Sequence, residues 1–156
     1  MRTPALRTRP RAVSTGVTLV ELMVVAAVVS IIAAVAVPSY AEYARRTARS
    51  DAQMTLLQAS TWLERRYVEC NSYSVRDAST DPPCTTAMDS LPTELTRSPT
   101  TGTTRYTITL TIDSAQAYTI RAVPVIADSK CGTLTINGTG GRGESGTESI
   151  DYCWRR

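Results

Sequence analysis

The sequence predicts an α+β protein in which a long N-terminal hydrophobic helix packs on an antiparallel sheet of about four strands. Three observations support this fold class: an apolar stretch at residues 17–37, a helical apolar periodicity directly after it, and two-residue alternation in the last third of the chain. A helix followed by a run of strands is typical of α+β domains. The length of 156 residues suits one ordinary domain together with an anchor.

Composition excludes several functional classes before any element is assigned. Histidine is absent, which excludes Ser–His triads, Cys–His pairs and zinc sites with imidazole ligands. No other nucleophile–base pair is recognisable, so we expect neither an enzyme nor a cofactor or metal site. The 17 basic and 14 acidic residues give a net charge of +3, but four arginines precede residue 17. Residues 17–156 therefore carry −1 (13 basic against 14 acidic), which argues against a nucleic-acid partner.

The first element is a membrane-spanning helix over residues 17–37. Only Thr18, Glu21 and Ser30 are polar in this stretch, and a helix of this length rises about 31 Å, enough to cross the core of a bilayer. Arginines precede the stretch and none follows before Arg45. This asymmetry orients the N-terminus toward the cytoplasm and predicts that the bulk of the chain is exported.

Glu21 is the unusual residue of this helix. A carboxylate inside a membrane span costs about 2.5–3.5 kcal/mol on insertion scales, so it needs a partner. The nearest candidate cation is the α-amino group that cleavage after Gly16 would create. The alternative is an ordinary signal sequence that is cut after the small residues 34–36.

These residues resemble the N-terminal motif of the type IV pilin family. The matching positions are Gly16, Val17, Thr18, Leu19, Glu21 and Leu22, followed by Ala-Ala-Val-Ala-Val-Pro-Ser-Tyr at 33–40. The resemblance implies the type IV pilin fold, cleavage after Gly16 by a prepilin peptidase, N-methylation of Val17, and a role for Glu21 in assembly through the new N-terminus. Val17 departs from the phenylalanine that the family usually has at this position.

The resemblance also implies a domain organisation and a location. Residues 1–16 are a basic leader, residues 17–38 an assembly helix, and residues 39–156 a globular periplasmic or extracellular domain. The chain is expected in the bacterial inner membrane as a single-pass protein with a cytoplasmic N-terminus, and afterwards in a pilus at the cell surface. The implied partners are the prepilin peptidase, other pilin subunits and the inner-membrane assembly machinery.

The helical pattern continues beyond Pro38 to about Cys70, with Asn71 as a plausible stop. Pro38 indicates either a helix kink or a segment that melts in a filament. One face of the continued helix is apolar and consists of Ala44, Ala48, Ala52, Leu56, Ala59, Leu63 and Tyr67. The opposite face is polar and consists of Arg45, Arg46, Arg49, Gln53, Glu64 and Arg65. We expect that face to be solvated; a lipid-headgroup contact of its arginines is the alternative.

Residues 71–104 read as a loop, and four strands follow it. Alternation places them around residues 106–112, 118–122, 131–136 and 150–154. Gly138, Gly140 and Gly143 satisfy G-x-G-x-x-G, but no room for a βαβ unit remains, so we interpret them as a hairpin loop. Asn137 is a turn former in preference to a glycosylation site. The scattered acids of the loop, Asp77, Asp81 and Asp89, fit no calcium-loop spacing.

The four cysteines of an exported domain favour two disulfides. We predict Cys70–Cys84 and Cys131–Cys153, because each closes a short interval and the second ties two predicted strands. A crossed pairing such as Cys70–Cys131 would contradict this assignment. A zinc site of four thiolates is disfavoured because the usual C-x₂₋₄-C pairs are missing.

The C-terminal half is similar to PilE-type minor pilins, on Tyr118 to Pro124, Cys131 to Asn137, and Cys153-Trp154. This similarity implies a minor pilin with roles in pilus assembly, twitching motility and adhesion. Two alternatives remain: a pseudopilin of type II secretion, and a DNA-uptake receptor pilin. The receptor would bind phosphates with basic residues and aromatic neighbours, and the candidates are Lys130, Arg142, Arg155 and Arg156.

Overall fold

The computed structural model describes residues 16–73 and 90–155. Its elements in chain order are helix α1 (Leu19–Cys70), a 3₁₀ turn (Thr93–Leu95), strands β1 (Arg97–Ser98), β2 (Tyr106–Ser114), β3 (Ala117–Pro124), β4 (Leu134–Asn137) and β5 (Arg142–Gly143), and helix α2 (Ile150–Cys153). The described part of the chain therefore has the predicted long helix and five strands where about four were expected. The fold class is confirmed.

The strands form one antiparallel meander in the order β1-β2-β3-β4-β5. Ile108 lies opposite Ala122 across β2 and β3, and Ala122 lies opposite Leu134 across β3 and β4. Buried residues alternate with more exposed ones along both long strands; they are Tyr106 and Ile108 in β2 and Tyr118, Ile120 and Ala122 in β3. This two-residue period is the alternation that predicted both strands.

The described residues fall into two compact units, one ending at Tyr40 and one beginning at Ala41. In the first unit every side chain from Gly16 to Tyr40 is exposed. Pro38 lies inside α1 with helical residues on both sides. The helix is continuous across this proline in the single chain, and both the kink and the melting in a filament stay predictions.

The second unit has its core between the α1 residues beyond Ala41 and one face of the sheet. Four residues of the predicted apolar face are fully buried: Ala52, Leu56, Ala59 and Leu63. They belong to one cluster with Tyr106, Ile108, Tyr118, Ile120 and Leu134 from the sheet. Burial of one leucine or isoleucine side chain stabilises a fold by about 1.5–3 kcal/mol, so this cluster accounts for the packing of α1 on the sheet.

Asn71 ends α1 as predicted. Its φ of 52° is left-handed, and its amide donates to the carbonyl of Tyr67 at 2.6 Å. Asparagine tolerates this conformation better than most residues, so it satisfies a carbonyl of the last turn and stops the helix.

Other boundaries differ from the predictions. The predicted strand at residues 150–154 is wrong, because Ile150–Cys153 is the helical turn α2. The Ser149 hydroxyl caps this turn by accepting the amide of Tyr152 at 3.3 Å, a local signal stronger than three alternating apolar residues. Strand β4 begins at Leu134 and not at Cys131. The two-residue strands β1 and β5 were missed because they are too short to show a period.

The predicted disulfide Cys131–Cys153 is present, with Cα atoms 5.5 Å apart. It ties the turn before β4 to α2, and not two strands as expected. Cys70 is also disulfide-bonded. Its predicted partner Cys84 lies outside the described residues, as do Asp77, Asp81 and Asp89, so the pairing Cys70–Cys84 stays a prediction.

The glycine-rich segment is a hairpin between β4 and β5, as interpreted from the sequence. Gly140 has a φ of +78°, which favours glycine. The Asn137 side-chain oxygen accepts the amides of Thr139 and Gly141 at 3.2 and 2.7 Å. Asn137 therefore organises the turn.

Candidate functional site

The predicted cleavage site lies directly before α1. Gly16, Val17 and Thr18 are exposed and precede the first helical residue, Leu19. The Thr18 hydroxyl accepts the amide of Glu21 at 3.2 Å and caps the helix. Thr-x-x-Glu is the capping-box pattern, so the start of this helix is also marked in the sequence. The bond after Gly16 is thus in a non-helical, accessible stretch.

Glu21 differs from the other polar residues of the apolar stretch. The Ser30 hydroxyl donates to the carbonyl of Ala26 at 2.7 Å, and Thr18 is occupied by its cap. Within the described part of residues 17–37, the Glu21 carboxylate is the one polar side-chain group with no hydrogen bond or ion pair. Its position in the first turn suits a negative charge. A cation from outside this helix is needed when Glu21 leaves water.

The second unit contains a buried ion pair that joins α1 to the loop after β3. Arg49 is 3% exposed and Asp128 8% exposed. The Arg49 Nε and Nη2 atoms donate to the Asp128 carboxylate at 2.6 and 2.8 Å, and the Tyr106 hydroxyl donates to it at 3.4 Å. The expectation that Arg49 faces solvent is therefore wrong, because a carboxylate 79 residues away draws it into the interior.

This pair shifts the pKa of each member. Burial opposes the charge of Asp128, but the hydrogen bonds and charge of Arg49 outweigh it and hold the pKa of Asp128 below its ordinary value. The hydrogen bonds to Asp128 raise the pKa of Arg49 despite its burial. Burial, followed by the Asp128 charge, raises the pKa of Tyr106 to about 12. All three groups are therefore locked in one protonation state near neutral pH.

Glu42 extends this network toward α2. Its carboxylate lies 3.5 Å from Arg46, 3.7 Å from Arg49 and 3.4 Å from Lys130, and it accepts the Tyr152 hydroxyl at 3.1 Å. Burial opposes its charge, yet the hydrogen bonds from Tyr152 and Lys130 keep the pKa of Glu42 lowered. Lys130, one of the predicted phosphate ligands, is therefore already paired.

A groove between α1 and α2 carries two of the other predicted phosphate ligands, Arg142 and Arg155. We call it the C-terminal groove and define it by Arg46, Ser50, Arg142, Trp154 and Arg155. It consists of two cavities of about 210 and 30 Å³ that share Ser50. Arg155 lines the larger and Arg142 the smaller. The Gln53 side chain holds the groove's wall by donating to the carbonyl of Cys153 at 2.8 Å.

Trp154 lies beneath the groove, and its side chain is not accessible to a ligand. It is 8% exposed, its indole N–H donates to the carbonyl of Gly143 at 3.1 Å, and the Arg142 guanidinium lies 5.1 Å from its ring centre. Its ring face is therefore not available for contact with a ligand. The arginine above the ring offers a fixed cation instead, because cation–π contact orients the guanidinium.

The C-terminal groove is positively charged. In the described part of the chain, Arg142 and Arg155 form no ion pair, while Arg46 shares Glu42 and keeps 65% of its side chain exposed. Arg156 lies outside the described residues. Guanidinium groups around a hydroxyl such as Ser50 suit an anion with several oxygens, above all a phosphate. No described group of His, Cys, Asp or Glu residues is arranged to hold a metal ion.

Comparison with protein families identifies two matches. Residues 38–135 match the family model described as type IV minor pilin ComP, DNA uptake sequence receptor. Residues 11–37 match the model of the prokaryotic N-terminal methylation motif. The second match covers the stretch that contains Gly16, Val17 and Glu21, and the first covers most of the globular unit.

Solved structures of pilins are also similar to this chain. The non-core minor pilin PilV of Neisseria meningitidis has 22% identity and a TM-score of 0.47, over 69% of this chain and 92% of PilV. A type IV pilin from Shewanella oneidensis has 22% identity and a TM-score of 0.42, over 69% of this chain and 94% of that pilin. Among curated proteins, none matches this chain.

Proposed function

This chain belongs to the family of type IV minor pilins described as ComP, DNA uptake sequence receptor, and we propose that it is a pilus subunit whose globular unit binds DNA. It carries the N-terminal methylation motif and an apolar helix that fit anchoring in a membrane before assembly into a pilus. The family match favours a type IV pilin over the secretion pseudopilin that the sequence left open. Twitching motility and adhesion remain predictions for the assembled filament.

Maturation follows from the N-terminal segment. A prepilin peptidase cuts after Gly16, and the new amine of Val17 is methylated. The accessible, non-helical backbone at residues 16–18 supports this step. The N-terminus faces the cytoplasm, and the globular unit lies on the opposite side of the inner membrane, as the arginine asymmetry indicates.

Assembly then exchanges lipid for neighbouring helices around the exposed apolar residues of α1. In that environment Glu21 pairs with the new N-terminus of another subunit. The supporting observation is that its carboxylate is left without a hydrogen bond in the described helix, where the serine of the same stretch is satisfied. An unpaired charge in such a place costs several kcal/mol, so the pairing fixes the register of the subunit.

DNA binding is carried by one observation: Arg155 and Arg142 line two neighbouring cavities that share Ser50, and neither is paired with a carboxylate in the described chain. The family match ends at residue 135, so the choice of these two residues depends on the sequence candidates and on the geometry of the groove. The net charge of −1 argued against DNA, but it averages over acids that pair elsewhere, such as Asp128 and Glu42. Local charge, not net charge, sets contacts with phosphates.

The test measures binding of a short fluorescein-labelled DNA duplex to the full-length chain in non-ionic detergent micelles. Each arginine–phosphate contact contributes about 0.9 to the slope of log K against log salt. We therefore expect Arg142→Gln with Arg155→Gln to lower the slope by about 1.8 and the affinity by about tenfold at low salt.

The matched control is Arg65→Gln with Arg97→Gln, which removes the same charge from exposed positions outside the groove. It should change the salt slope little. If both double variants lowered the salt slope and the affinity equally, the binding would depend on net charge alone, and this result would contradict the assigned groove. Absence of any duplex binding by the unmodified chain would contradict the DNA function itself.

A further inference from the structure

A second cleft lies between α1 and the loop that follows β3, and Asp128 of the buried ion pair lines it. Its volume is about 190 Å³. Ala44, Ala48 and Ile126 supply apolar lining, and Arg45 and Arg105 are the cations that line it. We call it the Arg45–Arg105 cleft. Neither the assembly helix nor the C-terminal groove uses these residues.

The cleft is positive although an acid lines it. The Asp128 carboxylate in its wall already accepts two hydrogen bonds from Arg49 and one from Tyr106. Arg45 and Arg105 are exposed and form no ion pair among residues 16–73 and 90–155. Two uncompensated guanidinium groups beside an apolar surface suit a ligand with an anionic head and an apolar body.

The position of Arg45 in the sequence says where such a ligand is found. Only seven residues lie between Val37, the end of the apolar stretch, and Arg45. So short a connection keeps Arg45 close to the headgroup layer of a membrane that holds residues 17–37, and its long side chain suits that layer. Tyr40 and Tyr43 between them are 74% and 67% exposed, as is typical of aromatic residues at a membrane interface.

We propose that the Arg45–Arg105 cleft binds the headgroup of an anionic phospholipid while the chain is anchored in the membrane. The phosphate pairs with Arg45 and Arg105, and the glycerol with the first acyl carbons contacts Ala44, Ala48 and Ile126. The apolar lining favours a lipid over free phosphate, because a small hydrophilic anion gains nothing from it. Extraction into a filament then requires release of this lipid.

The experiment uses the full-length chain in non-ionic detergent micelles, titrated with dioctanoyl phosphatidylglycerol. Native mass spectrometry gives the stoichiometry, and the thermal shift gives the affinity. We expect one lipid per chain and a rise in Tm, with much weaker effects of dioctanoyl phosphatidylcholine and of glycerol 3-phosphate. The first comparison tests the charge of the head and the second the contribution of the acyl chains.

Arg45→Gln with Arg105→Gln should weaken binding of the phosphatidylglycerol about tenfold or more. The control Arg65→Gln with Arg97→Gln has the same net charge and should retain binding. Equal weakening by the control, equal binding of phosphatidylcholine, or equally tight binding of glycerol 3-phosphate would each overturn the proposal. Circular dichroism of both variants checks that these exposed substitutions leave the fold intact.

Discussion

Helix α1 passes through two environments that its secondary structure does not distinguish. Up to Tyr40 the helix is apolar on all sides and every side chain is exposed. Beyond Ala41 the apolar residues keep to one face, and Ala52, Leu56 and Leu63 are fully buried. The first part has no partner within the described chain, whereas the second has the sheet.

The difference shows how one helix serves two solvents. A uniformly apolar surface is suited to lipid or to other helices, and it tolerates only polar groups that are satisfied internally or by a neighbour. A one-sided surface is suited to its own domain, which can accept even an arginine when a carboxylate meets it. Each unit therefore has one decisive charged residue: Glu21 in the first and Arg49 in the second.

The largest expected effect tests the first part of α1. Glu21→Ala should insert into the membrane normally but enter filaments at least about 100-fold less, because the N-terminal amine of a neighbour loses its partner. Membrane fractionation and immunoblots of sheared filaments measure the two steps. Ser30→Ala is the control, since that hydroxyl is already satisfied by Ala26, and it should assemble normally. Normal incorporation of Glu21→Ala would refute the proposed role of the carboxylate.

The second prediction tests the buried charge of the other part. Arg49→Met leaves Asp128 buried without its partner and should lower the free energy of unfolding by about 3–5 kcal/mol. Arg46→Met, which removes an exposed arginine from the same network, should cost less than about 1 kcal/mol. Denaturant titration of the micelle-bound chain measures both. Addition of Asp128→Leu to Arg49→Met should recover most of the loss; a further loss would contradict the pairing.

The third prediction concerns the disulfide that holds α2. Cys131→Ser with Cys153→Ser opens a link between residues 22 positions apart and should cost about 3 kcal/mol in the chain-entropy model. Because α2 forms one wall of the C-terminal groove, DNA affinity should fall as well, although no arginine has changed. Unchanged stability by the same titration would show that packing of α2 does not depend on this bond.

The fourth prediction is a pH dependence confined to the second unit. The folded pKa of Asp128 is lowered, so its stabilising contribution is present above the unfolded value near 3.9 and is lost as pH falls through the folded value. Stability should therefore drop below about pH 4, by at most about 1.4 kcal/mol per pH unit for one carboxyl. Denaturation between acidic and neutral pH measures it. An equally steep drop in Arg49→Met would assign the effect to other groups.

The smallest effect concerns the start of α1. Thr18→Ala removes the hydroxyl that accepts the Glu21 amide and should weaken the first turn by about 1 kcal/mol. Hydrogen exchange at that amide should accelerate about fivefold, with the second unit unaffected. Thr47→Ala is the control, because its hydroxyl bonds Tyr43 within the helix and caps nothing. An unchanged exchange rate at the Glu21 amide would show that the Thr18 hydroxyl does not stabilise the helix start.

Local sequence patterns, which extend over a few residues, were sufficient to predict much of the secondary structure and burial of this molecule. The apolar span, the buried face of α1, the stop at Asn71 and the alternation of β2 and β3 were all predicted from the sequence, because helix and strand periods report burial directly. The Cys131–Cys153 pairing followed from spacing. The Thr18 cap is also marked by a local pattern, Thr-x-x-Glu, although it was not predicted.

The remaining features depend on contacts between distant residues. Arg49 lies on the polar face by period, yet it is buried because Asp128, 79 positions later, arrives beside it. Trp154 ends the helical turn α2 and lies under Arg142, where its ring supports a cation from strand β5. The free energy of such pairs resides in burial and in geometry across the fold, and no local pattern in the chain encodes which arginine becomes covered and which stays open to a ligand.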